Sequence, residues 1–426
     1  MTLPRAAAAA DSSWAGRATQ LATFLVPGVA LSLPSGYSWG PALLVLTALV
    51  FARRWWPLRW DGRAKVLAAL FAAMGVLWAL SFDGWALAQR SDQFYKYLLA
   101  LAALGLVQWQ APQVRPLGWG LLAGALGAGA VAVVQCGWLD LSRANGFTNA
   151  IQFAGLAFVL TLGCCFGVML LWRSLALWQR ALGALCSLAG VVAVLLSDTR
   201  GAWIMAPLVL GLGAVLLWRC GLRRQVLAGL ACLVVVVGAL GLLRGADIER
   251  RYDLAMNEVS QYEQAGHANT SVGQRLAHWK LAWDMGWERP LTGWGMEGYR
   301  QEKARRAAAG SVDPFVLNFD HAHNELLDQF AKRGLVGVAL MLLFYGVPIA
   351  IFWPTRRRML ACDHQPMDRQ ILFLRVLGVM LPVSYAGFGL TQVFFAHNSG
   401  HLFYVYLLVV LLGALMGREK ALHARG

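Results

Sequence analysis

The chain has 426 residues, 58% of them hydrophobic and only 14% charged, whereas soluble domains run at about 45–50% apolar and about 25% charged, so an assembly of soluble domains is excluded. A disordered chain and a disulfide-rich secreted scaffold are excluded by the same figures, and 19 tryptophans suit a surface that meets lipid. The net charge of +15, from 37 Lys and Arg against 22 Asp and Glu, raises nucleic acid as a partner until the charge is located along the chain.

Apolar runs able to cross about 30 Å of hydrocarbon fall at residues 19–33, 40–52, 66–82, 94–108, 117–136, 150–172, 178–197, 202–218, 225–243, 335–353, 371–390 and 400–417. The expected fold is therefore an all-α polytopic integral membrane protein of about 12 transmembrane helices, two of them short enough to need flanking aromatic anchors. The first run lacks a small-x-small cleavage signature before Leu33-Pro34-Ser35-Gly36 and reads as a retained span. With an even number of spans both termini share one side. Twenty of the 37 basic residues fall on that side, among them Arg53, Arg54, Arg59, Arg63, Lys65, Arg223, Arg224 and Arg356 to Arg358, which makes it cytoplasmic. The Arg53 to Lys65 tract, interleaved with Trp55, Trp56 and Trp60, is then a membrane edge facing membrane lipids, and no nucleic-acid partner is expected. Seven cysteines, Cys136, Cys164, Cys165, Cys186, Cys220, Cys232 and Cys362, lie in or beside spans and suggest no disulfide framework.

One link breaks the pattern. Residues 244–334 form a large outer loop between the ninth and tenth spans, dividing the chain into residues 1–243, 244–334 and 335–426. With twelve basic and thirteen acidic residues it is almost neutral, and Trp279, Trp283, Trp287, Trp294, Tyr299, Phe315 and Phe319 give it apolar anchors, so it is expected to be ordered and functional. Helices are expected at 248–264, 273–286, 296–309 and 323–332.

Within the loop, Arg275 and Trp279 are four residues apart and share a helix face. Pro290, Gly293 and Gly295 should end that helix in a tight turn with N–H groups turned outward. Further on, Asp320-His321-Ala322-His323-Asn324-Glu325 leads into Gly334-Leu335-Val336-Gly337. A histidine with a pKa near 6.5 suits a general base that takes a proton from a sugar hydroxyl at neutral pH. The His321/His323 pair lacks evident third and fourth ligands, so no metal is expected. Asp247 and Glu249 read as acids opening a loop helix. Arg200 sits in the short Ser197 to Gly201 link at headgroup depth, where an ionisable group is costly and functional by default. Arg143 opens the sixth span from the same side, followed by Gln152. Arginines converging at a membrane surface suit a lipid-borne phosphate or diphosphate, because guanidinium stays charged and forks onto phosphate oxygens. No GxxxxGK[ST] and no strand followed by GxGxxG is present, so neither a nucleotide nor any other cofactor is expected.

The His323-Asn324 pair with Gly334-Leu335-Val336-Gly337 after it, the Ser-x-x-Arg-Gly link at Ser197 to Gly201, the Arg275 to Gly295 stretch and the late large loop together resemble the O-antigen ligases of lipopolysaccharide assembly. That superfamily also includes O-antigen polymerases and protein O-oligosaccharyltransferases. The resemblance spans residues 140–350. It implies a metal-independent, inverting glycosyltransferase of the bacterial inner membrane whose active site and large loop face the periplasm. Such an enzyme moves a polysaccharide from undecaprenyl diphosphate onto the lipid A-core oligosaccharide. By position His323 would be the base, and Arg200 and Arg275 would grip the diphosphate. Arg143, Gln152, His321, Asn324 and Trp279 are the expected substrate contacts. Family members often carry Asn-Pro-Asn after the Arg-x-x-Gly that opens span six, where this chain has Asn149-Ala150-Ile151-Gln152. A polymerase or protein oligosaccharyltransferase would use the same donor. A transporter or flippase would instead place its ionisable groups near the midplane and show paired broken helices.

Overall fold

The computed structural model describes residues 13–81, 92–235, 270–355 and 367–424, together with residues 238, 253 and 358. The expected helix at 248–264, Asp247, Glu249, Cys362 and the end of the ninth apolar run lie outside the described residues.

Every regular element among the described residues is helical. The first half of the chain forms α1 (Trp14–Gly28), α2 (Gly36–Val50), α3 (Gly62–Leu80), α4 (Gln93–Trp109), α5 (Val114–Gly137), α6 (Ala150–Leu171), α7 (Leu177–Leu196) and α8 (Arg200–Arg219), followed by α9 over residues 223–235. The loop contributes α10 (Ser271–Glu288), α11 (Gly295–Ala308) and a 3-10 turn at Pro314–Asn318. The chain then continues as α12 (Glu325–Phe352), α13 (Arg369–Phe388) and α14 (Asn398–His423).

Helix occupies described residues of each of the twelve apolar runs, but among the described residues eight helices, α3, α5, α6, α7, α8, α12, α13 and α14, are long and apolar enough to cross a membrane. The remaining runs divide for a simple reason. At 1.5 Å per residue, α1 and α2 with 15 residues and α4 with 17 fall short of about 30 Å of hydrocarbon, and α9 is described over 13 residues, 223–235. This is a polytopic membrane protein.

Burial ranks the helices. The apolar windows of α13 and α14 are 89% buried and that of α6 is 72%, against 28% for α7 and α8. Helices buried all round are apolar all round, which is why α6 and α14 carry almost no amphipathic bias and sit centrally. Small residues bring neighbours close: a Cβ added to Gly124 on α5 would meet the Pro27 carbonyl oxygen of α1 at 2.2 Å. Dispersion contacts at that spacing hold helices together where lipid is as apolar as leucine.

The loop builds a small core of its own, with Leu281, Ala282, Met285, Tyr299, Val316, Ala322 and Ala331 buried together. It docks on the bundle through α12, which is two helices joined at Gly334 (φ 61°, ψ −158°), backbone geometry that is essentially glycine-only. The break is stitched to the turn after α10. Leu335 N–H donates to the Pro290 carbonyl at 2.7 Å, Val336 N–H to that of Leu291 at 3.4 Å, and Trp294 N–H to that of Ala331 at 2.9 Å. The expected outward-facing N–H groups of that turn are thus corrected. Its carbonyls face α12, because the helix that restarts after Gly334 has orphan N–H groups needing acceptors. At the same end Arg333 donates to Ser81 Oγ at 2.7 Å and stacks 4.0 Å above the Trp78 ring, tying the loop to the last turn of α3.

Candidate functional site

His323 lies where α12 begins. Its backbone is left-handed, with φ 52°, a conformation that costs a non-glycine residue about 1–2 kcal/mol, so the surrounding contacts must hold it there. Asn324 caps α12, its Oδ1 accepting from the N–H groups of Leu326 and Leu327 at 3.1 Å and its Nδ2 donating to the Leu390 carbonyl at 3.1 Å. Glu325 N–H donates to the Gly389 carbonyl at 2.7 Å. With those donors consumed, the helix end offers few free N–H groups to an anion, and side chains must supply the grip.

The approach to His323 is pinned from below. Lys303 donates to the Phe319 carbonyl, and Lys332 to the Asp320 carbonyl at 2.8 Å and to Asp328 at 2.7 Å. Asp328 in turn accepts from Ala322 N–H at 3.0 Å. Burial pulls the Lys303 ammonium down to about 8. Arg300 forks onto Asp320 at 3.1 and 2.9 Å. These bonds explain how five loop residues stay ordered without a regular element.

The imidazole is oriented by a residue far along the chain. His323 Nδ1 lies 3.1 Å from Gln392 Oε1, which also accepts from Val393 N–H at 3.1 Å. With Oε1 engaged as an acceptor by a backbone donor, the same oxygen takes Nδ1–H, so the lone pair of His323 is on Nε2. Trp279 Nε1 donates to the His323 carbonyl at 3.4 Å, and the charge of Arg275, one helical turn before Trp279, acts on His323. Burial first, then Arg275, pull His323 down to about 4, so it is neutral at pH 7.

The structure brings more histidine here than the sequence suggests. The His321 ring is 4.3 Å from His323, His278 is 5.5 Å from His323, and His397 is 5.9 Å from His321. Burial holds His278 and His321 down to about 3 and lowers His397. Both nitrogens of His278 and Nδ1 of His321 are buried without a hydrogen-bond partner. Even so, among the described residues no three His, Cys, Asp or Glu are placed to hold one metal ion.

The other expected residues are placed as follows. Arg200 begins α8, whose second residue, Gly201, approaches Thr391 so closely that an added Cβ would lie 2.6 Å from its Oγ1. The start of α8 therefore abuts the Thr391-Gln392 segment. Arg143 donates from Nε to the Ser197 carbonyl at 3.0 Å and from Nη2 to Thr199 Oγ1 at 3.3 Å, so it braces the turn that leads into Arg200. Gln152 is fully buried at the start of α6, with neither amide atom partnered, beside Gly400 of α14. Gln392, His278 and His397 were not singled out in the sequence. No local spacing marks them; the packing of α10 and the return of the α13–α14 link against the start of α12 make them neighbours.

Fold and site together define a polytopic helical membrane protein with imidazole and guanidinium groups gathered at one end of the bundle. Residues 182–342 match the O-antigen ligase family, a stretch that contains Arg200, Arg275 and His323 and excludes Arg143, Gln152 and Gln392. The chain is 24% identical over 379 residues to an uncharacterized protein of Haemophilus influenzae, covering 88% of this chain and 92% of that protein. It is 21% identical over 230 residues to the O-antigen ligase of Escherichia coli K12, covering 53% and 49% respectively. The match over residues 182–342 and the likeness to the Escherichia coli protein support a place in the O-antigen ligase superfamily.

Proposed function

We propose that this protein is an inverting glycosyltransferase that transfers a glycan from undecaprenyl diphosphate to a lipid A-core acceptor, with a twelve-span bundle and the site on the periplasmic face. The observation that carries this reading is the Gln392-held His323, neutral at pH 7 with its Nε2 lone pair available, beside the positive charge of Arg275.

In the reaction the acceptor hydroxyl oxygen attacks the anomeric carbon from the face opposite the diphosphate. The C–O bond to phosphate breaks, the diphosphate leaves with the electron pair, and the hydroxyl proton passes to His323 Nε2. Arg200 and Arg275 hold the departing diphosphate, whose charge grows in the transition state, so they stabilise that state more than the bound donor. The donor also tunes the base. Its negative charge offsets the Arg275 field that holds the imidazole pKa down, making His323 more basic when the substrate is present. Trp279 and Asn324 act through His323 by fixing its carbonyl and the start of α12, and Arg143 acts through the turn that carries Arg200. His321, 4.3 Å from the His323 ring, lines the approach to the acceptor side, whereas Gln152, fully buried at the start of α6, does not reach it. Exposed Trp283, Trp287 and Leu291 on and after α10 suit a site at headgroup level, where both lipid-borne substrates present their polar parts.

Reconstitution of the protein with an undecaprenyl diphosphate glycan and lipid A-core tests the reading. Glycosylated lipid A-core is the expected product. A lengthened lipid-linked glycan would assign the chain to the polymerase reaction, and no glycan transfer at all would refute the function.

A further inference from the structure

At the end of the bundle remote from His323 a cleft of about 330 Å³ opens between α3, α12 and α13. Arg63 is the second residue of α3 and Ile351 the last but one of α12, so the cleft lies where spans end. Its polar wall is an arginine cluster. Glu419 of α14 accepts from Arg63 Nη1 at 2.7 Å and from Arg375 Nη2 at 2.6 Å. Arg63 also pairs with Asp61, and Arg375 Nη1 donates to the Ile351 carbonyl at 3.2 Å. Arg375 is only 3% exposed, yet its Nε has no partner. Arg358, at the mouth, donates to the carbonyls of Ala350 and Trp353. The three guanidinium groups of Arg63, Arg358 and Arg375 thus outnumber the two carboxylates, Asp61 and Glu419, that pair with Arg63 and Arg375. The opposite wall is apolar, formed by Val347, Ala350 and Val66, the last 51% exposed on the outer side of α3.

We propose that this cleft binds a phosphate-bearing anion, the phosphodiester headgroup of an anionic phospholipid. Guanidinium forks suit phosphate oxygens, and a basic pocket between spanning helices is how membrane proteins hold anionic headgroups. The apolar wall running outward along α3 accommodates the first part of an acyl chain, which distinguishes a lipid from free phosphate. The bound lipid clamps α3, α12 and α13, whose far ends carry Ser81, His323 and the link to Gln392.

Native mass spectrometry of the purified full chain in detergent, titrated with phosphatidylglycerol or with diacylglycerol of the same acyl chains, tests the proposal. The phosphate-bearing lipid should bind at least about tenfold more tightly, as expected when charge-assisted bonds are added, and R358Q should weaken it several-fold while leaving diacylglycerol unchanged. R375Q should weaken it further. Because Arg375 is buried and that variant can misfold, the exposed Arg358 is the deciding position. Equal retention of the two lipids, or unchanged phosphatidylglycerol binding in R358Q, overturns the site. Thermal stabilisation by inorganic phosphate alone that matches phosphatidylglycerol overturns the lipid assignment and leaves a free anion as the ligand.

Discussion

Gln392 offers the sharpest test of how the site works, because it touches no substrate in the proposed reaction and acts only through His323. Gln392→Leu keeps the side-chain bulk and removes the acceptor for His323 Nδ1–H. A net hydrogen bond of about 0.5–1.5 kcal/mol then no longer favours the tautomer with its lone pair on Nε2, which predicts a fall in kcat of about 2- to 10-fold. That loss is well short of the about 10²- to 10⁴-fold expected from deleting the base in His323→Ala. Rate loss alone would not separate orientation from general damage, especially since Val393 N–H also loses its acceptor. Gln392→Glu makes that distinction. A carboxylate at the same place still accepts from Nδ1–H, and its negative charge raises the His323 pKa from about 4 by at least about one unit. The acid limb of kcat/KM, which reports the free enzyme, should move up accordingly in a proteoliposome transfer assay. A rate within twofold of the parent in Gln392→Leu together with an unmoved acid limb in Gln392→Glu would refute the orienting role.

Arg275→Ala should raise KM for the diphosphate donor and shift the acid limb upward, because it removes both the proposed phosphate ligand and the charge that lowers His323; an increase in KM with no pH shift would separate Arg275 from the base. Gly334→Ala should lower the melting temperature, since the added Cβ would sit 2.3 Å from the Leu291 carbonyl in a backbone region costing about 1–3 kcal/mol. Gly346→Ala, with open space around it, is the control expected to melt with the parent. Stability should also depend on acid. Burial holds His278 and His321 at about 3 and His323 at about 4, below the about 6.5 of the unfolded chain. The unfolded chain therefore binds more protons between those values, and stability present above pH 6.5 is lost as pH falls toward 4. A melting temperature unchanged from pH 7.5 to 5 would contradict the burial of these rings. Transfer should persist in EDTA, and turnover lost to the chelator and restored by a divalent ion would move the chemistry to a metal, with Asp247 and Glu249 as first candidates.

By itself the amino-acid sequence determines which stretches are helical and that they belong in a membrane, because twenty-residue apolarity and backbone hydrogen bonding in lipid are local requirements. It also marks the break at Gly334 and the limits of the loop helices, since α10 and α11 begin and end within two residues of their expected limits. His323 and Arg275 were legible for a related reason: polar chemistry stands out on an apolar background, and both lie in one continuous loop. Gln152 shows the limit of that signal. An amide at the right place along the chain proves to be sealed inside the bundle with no partner, because burial depends on which helices close over it. Only the tertiary structure decides the tautomer of His323, through Gln392 sixty-nine residues away, and only it gathers His278 and His397 around His321. Those relations arise where α10, α12 and the α13–α14 link converge, and contact between segments so distant in sequence leaves no periodicity or motif to read.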